Sequence, residues 1–110
     1  MPIYSLDLFV VKRAVIDHAS SGDNTIVAAV PGKRIVVIQC LLISAGTMTV
    51  RFESGATGTA LTGQMNVLAA TGFRLEFSKI GHFETAVGQL LNLELSAGTS
   101  ADGVLSYIEV

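Results

Sequence analysis

The side chains that could do chemistry are few and stand far apart. His18 and His82 are the only histidines, and Cys40 is the only cysteine. A metal centre needs several His, Cys or carboxylate ligands brought together, and sequence usually announces it by a short-range pair of them. Neither histidine has a second ligand at such a spacing, and the His-x-His pair of a cupin-type metalloenzyme is missing. No metal and no cofactor is therefore expected. His18 stands beside Ser20, Ser21 and Gly22, which suits a turn residue, with a pH-responsive contact as the alternative.

Covalent catalysis is no better provided for. Cys40 sits inside the apolar run Ile35 to Ile43, where burial disfavours the thiolate and raises the pKa, and the nucleophile-elbow pattern Gly-x-Ser-x-Gly does not occur. The Gly-rich stretch Ser54 to Gly63 lacks the Gly-Lys-Ser/Thr ending of a phosphate loop and reads as a mobile surface loop. The carboxylates Asp7, Asp17, Asp23, Glu53, Glu76, Glu84, Glu94, Asp102 and Glu109 are scattered singly, which suits solubility and nominates no acid/base pair. Tryptophan is absent and aromatics make up 6% of the chain, a poor basis for a sugar platform. Phe52, Phe73 and Phe77 are expected in the core, and Tyr4 or Tyr107 at a rim. An enzyme is not expected.

The elements that would position these residues are strands. Turn residues recur at short intervals: Pro31-Gly32, Ala45-Gly46, Ser54-Gly55, Thr62-Gly63, Thr71-Gly72, Ala97-Gly98 and Asp102-Gly103 among them. Between them apolar and polar residues alternate with period two. Met48, Val50 and Phe52 oppose Thr47, Thr49, Arg51 and Glu53; Phe73, Leu75 and Phe77 oppose Arg74 and Glu76; Leu91, Leu93 and Leu95 oppose Asn92, Glu94 and Ser96. Each of these gives one face to a core and one to water. Ile35 to Ile43 and Leu8 to Val11 are apolar at nearly every position, the pattern of a strand covered on both faces, the second cover being another sheet or another subunit.

About eight strands follow, near Leu6 to Asp17, Thr25 to Val30, Lys33 to Ser44, Thr47 to Glu53, Met65 to Leu68, Phe73 to Ser78, Leu90 to Ser96 and Val104 to Val110. Two packed antiparallel sheets, a jelly-roll-like all-β sandwich, shelter most edges and share one core. The 110 residues form a single domain, residues 1–25 giving an N-terminal strand or arm against a neighbouring chain. Leu8, Phe9, Val10 and Val11 are the expected subunit-interface residues, since both faces there are apolar.

Half of the residues are hydrophobic and 15% are charged, fewer charges than a domain of this size needs to coat itself, so self-association is expected. A formal net charge of -2 lacks the Lys/Arg field that neutralises phosphates, so nucleic acid is not an expected partner. One cysteine forms no intrachain disulfide, no apolar run is long enough to span a bilayer, and the N-terminus has no basic segment ahead of an apolar one. A soluble chain made in the cytoplasm, without a membrane partner, is expected.

The stretches Ile26 to Val37, Val50 to Gly55, Leu61 to Gly63, Gly81 to Ser96 and Gly103 to Val110 resemble short structural proteins of tailed bacteriophage virions. The resemblance covers roughly residues 26–110 and leaves the N-terminal segment outside it. It implies a non-enzymatic head decoration or cement protein on the capsid surface, a homotrimer clamping neighbouring major capsid protein subunits. A tail-tip, fibre or receptor-binding jelly roll is the alternative, with the loops Ser54 to Gly63 and Ala97 to Gly103 carrying recognition.

Overall fold

The structure is a computed structural model describing residues 8–110, through which ten strands and no α-helix run. They are β1 (Lys12–His18), β2 (Gly22–Val27), β3 (Ile35–Ser44), β4 (Met48–Ser54), β5 (Thr59–Ala60), β6 (Met65–Val67), β7 (Thr71–Leu75), β8 (Phe83–Glu84), β9 (Leu91–Leu95) and β10 (Ala101–Glu109). β1 pairs β10, β2 pairs β9, β3 pairs β7 and β4 pairs β6, all antiparallel, so the chain is a set of nested hairpin pairings. Rolling this long hairpin up adds the lateral pairs β10 with β3 and β9 with β4.

Two five-stranded sheets result. Sheet A runs β1-β10-β3-β7 with β8 also on β3, and sheet B runs β2-β9-β4-β5 with β6 also on β4. This is a jelly-roll sandwich. The eight strands expected from sequence are its frame, and the two-residue strands β5 and β8 bring the total to ten among the described residues.

The core lies between the sheets because each strand sends its alternate apolar residues there. β4 contributes Met48, Val50 and Phe52, β9 contributes Leu91, Leu93 and Leu95, and β3 answers from the other sheet with Ile35, Val37, Cys40 and Leu42. The Phe52 and Phe83 rings, one from each sheet, meet at 4.9 Å between centroids. Burial pushes the Cys40 thiol up to about 12, so it stays protonated and inert at neutral pH. A thiol reagent that reads free cysteine by absorbance is expected to leave Cys40 untouched in the folded protein and to titrate it fully in denaturant.

β3 departs from simple alternation. Opposite Ser106 and Tyr107 of β10 it carries one extra residue, Ile38, a β-bulge. Val36 and Ile38 therefore lie outside the main core, with Ile108, and are covered by Phe9 and Val110. The sequence expectation that Ile35 to Ile43 is covered on both faces holds only for its first half, since Leu41 and Ile43 are exposed.

Two further expectations need correction. β1 begins at Lys12, and Leu8 to Val11 are not strand; Leu6, Asp7 and Tyr4 lie outside the described residues. Phe77 is 52% exposed, because the edge strand β7 stops at Leu75 and the chain then leaves the alternating register that would have turned Phe77 inward.

Candidate interaction surface

Chain pairing sets the outer face of sheet A row by row. Ile16, Leu105, Cys40 and Leu42 point into the core, so their neighbours on β1, β10 and β3 point out. Register then aligns Val15, Val104, Leu41 and Arg74 in one row across the four strands. Asp17, Asp102, Ile43 and Gly72 form the row on one side of it, and Arg13, Ser106 and Gln39 the row on the other. Val15, Val104, Leu41 and Ile43 are all exposed, Val15 at 72%. A depression of about 380 Å³ opens beside them, floored by Leu41, Val104 and Cys40 and edged by Arg13, Arg74, Gln39 and Ser106. This row is a candidate interaction surface, since single scattered apolar residues are ordinary but a contiguous row is not.

The residues expected at an interface from sequence divide here. Phe9 is tucked against Val36, Ile38 and Ile108, anchoring the arm to the chain's own sheet. Leu8, Val10 and Val11 face solvent, Leu8 at 78% and Val10 at 73%. Leu8, Phe9 and Val10 line a second, more open recess with Lys12, Lys33 and Glu109, and the Lys12 ammonium meets the Glu109 carboxylate at 2.8 Å.

The outer face of sheet B is polar, and sequence reasoning missed its organisation. β2, β9 and β4 lie side by side, which brings Asp23, Glu53 and Glu94 within 4.8 Å of one another. These carboxylates read singly along the chain and only strand pairing collects them. Their countercharge is Arg51. Its guanidinium donates to Glu53 Oε2 at 2.7 and 3.0 Å and to Glu94 at 3.3 Å. Asn92 Nδ2 donates to Glu53 Oε1 at 2.7 Å and to Asp23 Oδ1 at 2.8 Å, while its Oδ1 accepts the Asn24 backbone N–H. Asn92 and Glu53, placed by alternation on a face expected to meet water, are 0% and 1% exposed. The acidic cluster therefore comes with its own cation and a full set of donors.

Part of what ties this network down is the Ser54 to Gly63 stretch, which is pinned where a mobile loop was expected. Gly55 at φ 84° and Thr57 at φ 52° turn the chain back, and Thr57 donates its backbone N–H and its hydroxyl to Asp23 at 3.1 and 2.7 Å. Those two bonds, with a third from Asn92, hold the Asp23 carboxyl below its ordinary 3.8. A depressed carboxylate stabilises the fold above its unfolded value, and that contribution is lost as pH falls through the folded one. The urea midpoint is thus expected to drop as pH falls past the ordinary carboxylate value of 3.8, and Asp23→Asn to flatten part of that drop.

Among the described residues neither histidine joins a cluster of ligands. His18 ends β1, and His82 precedes β8 with Nε2 2.6 Å from the Glu76 carbonyl oxygen. His82 does border an apolar recess of about 240 Å³ at the β6/β7 side of the sandwich, lined by Phe52, Leu61, Thr62, Met65, Phe73, Leu75 and Phe83. No family model matches the chain, and no curated protein matches it significantly.

Proposed function

We propose that the chain is a non-enzymatic structural subunit of a virion. It packs against sister copies and against a major capsid protein at the capsid surface, as a head decoration or cement protein of a tailed bacteriophage does. The single observation that supports this reading is the apolar row Val15, Val104, Leu41 with neighbouring Ile43 on the outside of a sheet whose inside is already a complete core. Such a face has no role in a lone chain. Low charge and many β-branched residues suit a protein that holds contacts and turns nothing over.

Magnitudes say what the contact must contain. Covering one large apolar side chain contributes at most about 1.5 to 3 kcal/mol, while association costs about 4 to 15 kcal/mol. Four such side chains contribute at most about 6 to 12 kcal/mol, short of the upper part of that range. The charged rows beside Val15 must contribute as well.

Light scattering after size exclusion tests self-packing: an oligomer is expected, and a monomer across a concentration series would remove it. Val15→Lys with Val104→Lys is expected to leave the fold in place while abolishing self-association. Unchanged self-association by that variant would move the contact elsewhere. Binding of the intact protein to host cells in place of capsids would assign it to the tail tip or fibre.

A further inference from the structure

Resting on the reading of the chain as a self-packing subunit, we propose that the outer face of sheet A pairs with the same face of a second copy, across a two-fold axis running along the Val15, Val104, Leu41 row. The arm residues Leu8, Val10 and Val11 are then left for a different partner.

Charge placement carries the inference. Arg13 and Asp17 flank Val15 on β1, two residues to either side, both on the outer face and both exposed. Each stands about 6.7 Å from the Val15 row, because alternate residues of a strand are spaced by twice its rise. Rotation by half a turn about that row returns Val15, Val104 and Leu41 onto their own counterparts. It also lays Arg13 of each copy against Asp17 of the other, so one dimer gains two opposite-charge contacts. On β10 the same operation sets the Asp102 carboxylate over the Ser106 hydroxyl, and on β3 it sets Ile43 over Gln39. An isologous contact of this kind needs a patch complementary to itself, and this one is.

Among the described residues the two charges have no partner of their own: neither Arg13 nor Asp17 makes an ion pair or a side-chain hydrogen bond. Arg74, at the far end of the same row, is likewise returned onto its counterpart, and there each guanidinium keeps its own countercharge, Glu76 at 3.0 Å, with both well exposed, so the two like charges meet only at the solvent-screened rim. A two-fold axis along the strands is the competing arrangement. It would set Val15 on Arg74 and Asp102 on Ile43, covering with an apolar side chain a carboxylate that has the Ser100 hydroxyl at 2.6 Å but no cation against it, which is costly. The axis along the row avoids both.

An isologous contact closes at two copies, whereas a trimer needs two different patches meeting in a ring. Sedimentation of the intact chain, of Arg13→Asp, of Asp17→Arg, of the double variant and of an equimolar mixture of the two single variants decides the matter. A dimer is expected for the intact chain. Each single variant sets like charges against each other twice and is expected to dimerise about tenfold more weakly or worse. The mixture and the double variant both restore opposite charge at both contacts and are expected to recover the dimer. Both positions are exposed, so every variant should still fold, with the far-ultraviolet circular dichroism of the intact chain; Val104→Arg, centred on the axis, serves as a second disrupting probe. Single variants that dimerise as well as the intact chain, or a mixture that fails to recover, would overturn the pairing. An intact trimer indifferent to all these changes would overturn this pairing and leave self-packing standing. An intact monomer would overturn both.

Discussion

Replacing Val50 by aspartate is expected to leave a chain that does not fold. Val50 is completely buried in the middle of β4, between Met48 and Phe52 on the same inner face, and its cross-strand neighbours are Leu95 and Met65. Among the described residues no cation faces that position, since Arg51 points to the opposite side of the sheet with Glu53 and Glu94. An unpaired carboxylate there costs several kcal/mol, against a total stability of about 5 to 15 kcal/mol for a domain. Far-ultraviolet circular dichroism and a thermal melt check it. A soluble Val50→Asp protein that melts cooperatively would mean that the inner and outer faces of β4 are reversed.

Arg51→Met is expected to destabilise the fold by about 3 kcal/mol, even though Arg51 itself is partly exposed, because it strands its partner. Glu53 is almost wholly buried and both its carboxylate oxygens are in use, Oε2 by Arg51 and Oε1 by Asn92. Removing the guanidinium leaves a buried charge with one donor and two further carboxylates, those of Asp23 and Glu94, within 4.8 Å. Adding Glu53→Gln to Arg51→Met should recover most of the loss, since the amide oxygen still accepts from Asn92 and no charge remains to be desolvated. Denaturant midpoints of the single and double variants measure the difference. Equal destabilisation by both would mean that Arg51 acts through the packing of its aliphatic stem rather than through its charge.

The contrast between these two sites marks where sequence is informative. In β4 and β9 alternation alone places Val50, Phe52, Leu93 and Leu95 correctly, because one strand period decides the face. The burial of Glu53 and Asn92 could not be read that way. It depends on β2, β9 and β4 being neighbours and on Thr57 reaching Asp23 across 34 positions of chain. Apolar runs were ambiguous for a different reason. Ile35 to Ile43 hides a bulge at Ile38 that no pattern of hydrophobic letters reports, and Leu8 to Val11 looks like a covered strand although only Phe9 finds a pocket. Phe77 continued the period of Phe73 and Leu75 beyond the point where β7 has β3 to pair with. The outward row Val15, Val104, Leu41 was out of reach until register joined three strands distant in sequence.

Nesting of the pairs has a consequence for how the protein is made. β10 lies between β1 and β3, so sheet A lacks its middle until residues 101–109 have left the ribosome. β2 likewise waits for β9, and no early stretch of the nascent chain holds a complete sheet. Folding therefore waits on long loop closures, which slow it, and until β10 and β9 join, the open edges of β1 and β3 can recruit strands from neighbouring polypeptides.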